Sequence, residues 1–318
     1  MITGNSRSES RREQVIRAAW LYHERGLNQQ AVANRLGISR STVSRLLSDA
    51  EHEGIVRVIV TEPLPETASL ADDLIERFEL SGATVEFTLD SDLPRDAAAT
   101  ALARRLESMV ASGPMTIAAG WGRTLGTAAQ RVRPMVTHGV TVVDAFGHTT
   151  TADIAPAVEV SNTLAHKFDA DVIHIPSPGF APQARIADTF YEADSVSSTL
   201  DVARRADCVV ISIGVVGTES LLHHAGYLDS SAMERVIRAG GVGEIFGRYY
   251  DRKGNRICTD VLHPISLTFE DLGRCQRVIA AVGGVDKTAA VLGALAAGVI
   301  DELAIDHTLA RALLDASA

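Results

Sequence analysis

The sequence predicts an α/β protein in two parts. Residues 1–61 read as an all-α helix-turn-helix domain, and residues 62–318 as a Rossmann-like α/β effector domain with a mostly parallel sheet. Three observations carry this. Three short helical segments, the last two joined by a glycine turn, fill residues 12–50. From Thr84 onward, β-branched segments alternate with helical ones, the pattern of a parallel sheet covered by helices. Charge also divides along the chain. Residues 1–60 hold nine arginines and six carboxylates (+3), whereas the rest holds 21 basic and 34 acidic residues (−13), within a total of −10. Phosphate attraction is local, because salt screens charge beyond about 8–10 Å, so a basic end can meet DNA on an acidic protein.

The polar start, with Ser6, Ser8, Ser10, Arg7, Arg11 and Arg12, reads as a solvated arm without the apolar core of a secretory signal. Arg12–Arg25 is the first helix, with Val15, Ile16, Ala19, Trp20 and Leu21 expected on its inner face and Gly26 ending it. Asn28 suits an N-cap for a second helix reaching Leu36, and Ser39 caps a third over Arg40–Ala50. Between them Gly37 supplies the positive φ of a sharp turn. Ala33 is small enough for two helices to approach, and Ile38, Val43 and Leu46 point inward. That leaves Arg40, Ser41, Thr42, Ser44 and Arg45 on the outer face of the third helix. Hydroxyls and arginines there are what a recognition helix offers to base edges and phosphates. The alternative, a purely structural helical hairpin, does not account for the agreement of caps, core positions and polar face. A β-branched run, Ile55–Thr61, reads as a strand, with Arg57 either near a phosphate or in solvent.

Pro63 and Pro65 mark the exit from the first domain. Ala68–Phe78 follows as an amphipathic helix with Leu70, Leu74, Ile75 and Phe78 on one stripe. It suits a dimerising linker and the first helix of the large domain equally. Strands are expected at Thr84–Leu89, Met115–Ala119, Val140–Asp144, Asp171–Ile175, Cys208–Ile213, Val278–Val282 and Glu302–Ile305. Helices are expected at Pro94–Ala111, Thr124–Arg131, Ile154–Phe168, Ser195–Arg205, Ser231–Ala239, Lys287–Ala297 and His307–Leu314. Ligands of such sheets bind at the carboxyl ends of strands.

Three glycine turns stand at such ends. Gly120-Trp121-Gly122 precedes a helix opening with Arg123, Thr124 and Leu125. Free amides and the dipole of a helix start attract an anion, to which Arg123 adds a cation and Thr124 a hydroxyl. Gly283-Gly284-Val285-Asp286-Lys287 repeats the pattern, and Lys287 near a helix start invites an anionic ligand. Gly214-Val-Val-Gly217 is a third turn, as often structural as functional, and His174–Gly179 reads as a rigid loop able to wall a pocket. Each of these has a plain structural alternative: a strand-to-helix turn, or a lysine reaching into solvent.

Neither a dinucleotide fingerprint, a P-loop, H-E-x-x-H nor G-x-S-x-G occurs, and no cofactor is expected. Cys208, Cys258 and Cys275 are too scattered for a disulfide framework or a metal site. No apolar run reaches the ~18–20 residues of a membrane span, so a cytoplasmic protein is expected.

The chain resembles the SorC family of sugar-responsive regulators. The resemblance rests on residues 31–47 (AVANRLGISRSTVSRLL), 120–125 (GWGRTL), 240–247 (GGVGEIFG) and 283–287 (GGVDK), in that order and spacing. It implies a helix-turn-helix joined to an effector domain similar to sugar-phosphate isomerases and deaminases. It further implies a homodimer or homotetramer on an inverted-repeat operator, and a phosphorylated sugar or a polyol as effector. Gly122, Arg123, Thr124 and Leu125 would then be the phosphate loop and Lys287 a second anchor. The competing reading is a sugar-phosphate enzyme using Asp144, Glu219 or Asp286 as general base and Lys287 as stabiliser. No pair of titratable groups that must lie together supports it.

Overall fold

The computed structural model describes residues 5–56, 65–89, 93–149 and 155–316. The chain divides into two compact units at Glu62/Pro63.

In the first unit the helices are Asn5–Ala19 (continuing as a π turn, Trp20–Glu24), Gln29–Leu36 and Arg40–His52. Both predicted caps form. Asn28 accepts the Ala31 amide at 2.9 Å and Ser39 the Thr42 amide at 3.1 Å, while Gly37 takes φ 67°. Val15, Ala18, Ala19, Leu21, Val32, Ala33, Val43, Leu46, Leu47 and Ala50 form the core. Two expectations change. The solvated arm is helical from Asn5, and Arg11 within it pairs with Asp49 at 2.8 Å. Ile16 and Trp20 are 45% and 47% exposed, because Val15, Ala18 and Ala19 (spaced i, i+3, i+4) make the buried stripe. The Trp20 ring instead lies under the Arg25 guanidinium, 4.5 Å away. Ile55 and Val56 pack against this core outside any strand. The remainder of the expected strand, with Arg57, lies outside the described residues.

The second unit is built on a seven-stranded sheet, parallel throughout. Its order is Gly82–Glu86, Glu302–Asp306, Val278–Val282, Cys208–Ile211, Met115–Ala119, Val140–Asp144, Asp171–Ile173. Val278–Val282 and Glu302–Asp306 are buried at every position, as a doubly covered sheet requires. From Met115–Ala119 the chain winds outward to Asp171–Ile173, then returns to Cys208–Ile211 and winds the other way. The reversal between these two adjacent strands is the topological switch point. Helix Pro65–Phe78 packs Leu70 and Leu74 into this unit's core, which makes it the first helix of the large domain.

Sequence reasoning gives no helix at Ala184–Glu192, which precedes Asp194–Arg204. It reads residues 240–254 as a strand and a turn, which the structure extends to a four-stranded antiparallel sheet built round the hairpin Gly241–Ile245/Arg248–Asp251. The hairpin turns on Phe246 and Gly247, both at positive φ (53° and 74°), the signature of the two-residue turn that matches strand twist. Phe246 tolerates this because its ring packs against Phe146, 5.9 Å between centroids.

Candidate functional site

In the first unit, Arg40, Ser41, Ser44 and Arg45 are exposed on the third helix, opposite Val43, Leu46 and Leu47. Thr42 departs from expectation: it is half-buried, and its hydroxyl lies 2.8 Å from that of Ser39. The capping hydroxyl of Ser39 also lies 2.8 Å from Ser41 Oγ, so the first turn is held by a small hydroxyl cluster.

In the second unit, a cavity of about 340 Å³ opens at the switch point. All three glycine turns reach it. Gly122, Arg123 and Thr124 come from the first, Gly214 from the second, and Gly283, Gly284, Asp286 and Lys287 from the third. Trp121, Ser212, Glu219, Glu244 and Arg95 complete its polar and aromatic lining. The predicted residues therefore converge, with four exceptions. Leu125 is buried in the core beneath the loop. Gly120 is a packing glycine, since a Cβ would come within 2.8 Å of the Phe246 ring and 2.9 Å of the Val210 carbonyl. Gly217 is a turn glycine at φ 124°, outside the lining, and the His174–Gly179 loop is absent from it too.

Gly122, at φ 117°, begins helix Arg123–Arg131 and supplies no side-chain cap, so the first-turn amides are left for another acceptor. Gly284, at φ 107°, begins the turn Val285–Lys287, which leads into helix Thr288–Ala296. Gly283 matters for proximity: a Cβ there would sit 2.4 Å from the Pro94 carbonyl oxygen. The start of helix Pro94–Val110, and Arg95 with it, is thereby brought to the cavity. The Arg95 Nε is buried and has no hydrogen-bond partner among the described residues; Asp96 stands 3.9 Å away.

Lys287 does not reach into solvent. Its ammonium donates to the Ile213 carbonyl at 2.9 Å. Burial pulls its pKa below the usual range, Asp286 and Glu244 oppose this, and Arg123 and Arg95 add to it. Glu244 is 8% exposed, and its Oε2 accepts the Gly247 amide at 2.7 Å. Burial pushes its carboxyl up to about 7, against the Gly247 bond and the charge of Lys287. Trp121 forms one wall and stacks on Phe146, 4.8 Å between centroids with planes 4° apart.

Of the acids considered as general bases, Asp144 lies outside this lining. Its carboxylate accepts Ser161 Oγ at 2.6 Å and the Ile175 amide at 3.1 Å, and it pairs with His174 at 3.0 Å. Glu219 and Asp286 do line the cavity. Among the described residues no cluster of His, Cys, Asp or Glu could hold a metal, and no helix is long and apolar enough to cross a membrane.

Residues 62–315 match the family model described as "Putative sugar-binding domain", and residues 8–59 a homeodomain-like model. Among curated relatives, the deoxyribonucleoside regulator of Bacillus subtilis is 29% identical, covering 94% of this chain and 96% of its own. The erythritol catabolism regulatory protein EryD of Brucella abortus is 27% identical, with 94% and 96% covered. Among solved structures, the full-length sorbitol operon regulator SorC from Klebsiella pneumoniae has the same fold. Its TM-score is 0.71 at 22% identity, over 96% of this chain and 99% of that one. The chain thus belongs to the sugar-binding-domain family and, with its helix-turn-helix, is a DNA-binding transcriptional regulator of the SorC type.

Proposed function

We propose that this regulator senses a phosphorylated sugar in the switch-point cavity and reads its operator with Arg40, Ser41, Ser44 and Arg45. The observation that carries the effector reading is the convergence of two uncapped glycine turns with Arg123, Lys287 and the Arg95 Nε, which has no hydrogen-bond partner among the described residues. An anion there gains amide hydrogen bonds, two helix starts and three cations. Arg123, Thr124, Asp286, Lys287, Gly122, Gly214 and Gly284 are the proposed effector contacts. Thr42 belongs to the cap of the third helix more than to its reading face. The relatives named for regulation rather than catalysis, together with the position of Asp144, favour a sensor over an isomerase. The protein is proposed to act in the cytoplasm as a homo-oligomer on an inverted repeat, whose symmetry would mirror its own.

A neutral polyol is the second reading. Glu219, Glu244 and Asp286 offer acceptors for hydroxyls, and one relative is named for erythritol catabolism. Thermal-shift comparison of sugar phosphates with their unphosphorylated parents separates the two. A native-state ligand at a hundredfold excess over Kd adds ~2.7 kcal/mol. The phosphate reading expects a larger shift from the phosphate, reduced by Lys287→Ala and by Thr124→Ala. Equal shifts from the neutral parent, with a normal Lys287→Ala response, assign the cavity to a polyol.

A further inference from the structure

We propose that Glu244 stands in the cavity as a neutral acid that donates a hydrogen bond to the bound anion, so that effector binding takes up a proton. The proposal rests on the anion-site reading above.

Three glutamates are buried among the described residues. Glu302 is held by Arg105 at 2.7 Å and Arg277 at 3.0 Å, and Glu107 by Arg133 at 2.5 Å. Glu244 has no cation within 4.0 Å among the described residues. Lys287, whose charge it feels, spends a donor on the Ile213 carbonyl instead. A buried carboxylate without a paired cation is costly, and the group neutralises instead. The Gly247 amide occupies Oε2. The proton therefore belongs on Oε1, which lies against Gly214 at the cavity wall, so close that a Cβ on Gly214 would be 2.1 Å away.

Arg95, Arg123 and Lys287 line the cavity with Glu219, Asp286 and Glu244. Neutralising Glu244 makes this lining one charge more positive, which favours an anion. On the neighbouring strand Tyr249 is the cross-strand partner of Glu244, and Tyr250 follows on the opposite face. Burial raises both phenols, which stay neutral and offer no compensating charge. The proton lies within reach of ordinary conditions, since burial pushes this carboxyl up to about 7, and an incoming anion pushes it further. An O–H donated to an anionic oxygen is among the stronger hydrogen bonds.

The test uses the full chain and sulfate, which stays doubly charged across the neutral range and adds no titration of its own. Sulfate affinity, measured by calorimetry from pH 6 to pH 8.5, is expected to fall by up to about tenfold per pH unit through the range of Glu244. Repeating the titration in buffers of different ionisation enthalpy should show proton uptake. Glu244→Gln keeps a donor at this position and should bind sulfate with the pH slope and the proton uptake both reduced, to whatever Lys287 leaves behind. Proton release, affinity rising with pH, or an unchanged slope in Glu244→Gln would overturn the proposal, because an ionised Glu244 accepting a ligand hydroxyl behaves in those ways. If sulfate binds neither protein at any pH, the anion-site reading fails. The protonation claim is then decided alone by infrared spectroscopy of the free protein. A protonated-carboxyl band present at pH 6 and missing in Glu244→Gln upholds it, and identical spectra sink it.

Discussion

Replacing Gly214 with alanine places a methyl carbon 2.1 Å from Glu244 Oε1, 2.8 Å from its Cδ and 2.9 Å from its Cγ. Real contacts are not that short, so the Glu244 side chain must move. It is buried, and its Oε2 is tied to the Gly247 amide at 2.7 Å inside the hairpin turn. Moving it leaves that amide unpaired, ~1–3 kcal/mol, and crowds a packed wall, ~1–3 kcal/mol. Gly214→Ala should therefore destabilise the large unit by ~2–6 kcal/mol. Glu244→Ala alone also loses the Gly247 bond. The double variant should be less destabilised than the sum of the singles by ~2–6 kcal/mol, since the shared bond is lost once and the clash is gone. Urea unfolding followed by Trp121 fluorescence, in a Trp20→Phe background, reads the large unit by itself. Additivity within ~0.5 kcal/mol would refute the direct contact on which this reasoning depends.

Three further outcomes are expected. Arg45→Ala should weaken operator binding by ~1–3 kcal/mol if the residue reads a base, and equally on all sequences if it meets phosphate; no loss in a gel-shift titration removes it from the interface. Ser39→Ala deletes the acceptor of the Thr42 amide and should lower the stability of the first unit by ~0.5–2 kcal/mol, read by circular dichroism. The Glu244 carboxyl rises from 4.5 to about 7 on folding, so the stability it contributes is complete below pH 4.5 and lost as pH climbs to about 7. That loss is ~3 kcal/mol and should be missing from Glu244→Gln when unfolding is compared at pH 5 and pH 8; parallel profiles would contradict the shift.

Local chemistry alone determined much of this protein. Asn28 and Ser39 cap their helices because a side-chain oxygen three residues before a free amide finds it whatever the rest of the chain does. Met115–Ala119, Val140–Asp144 and Val278–Val282 are strands to the residue, since β-branched and small apolar runs ended by glycine or a carboxylate carry their own boundaries. The turns at Gly122 and Gly284 were legible because positive φ leaves glycine as the cheap choice. Tertiary structure decided which of these turns share a cavity, as strand order is set by long-range pairing that no local window contains. It also decided the fate of Ile16 and Trp20, which are left exposed while Ala18 joins the buried cluster with Val32, Val43 and Leu46. Glu244 lies in the 240–247 motif that carries the family resemblance, but neither it nor Arg95 was legible as a site residue. One reads as a strand residue in a glycine-rich hairpin and the other as an ordinary helix-start arginine. They became site residues only when the hairpin folded its carboxyl against Gly214, and Gly283 let the Pro94 carbonyl approach where any side chain would have blocked it.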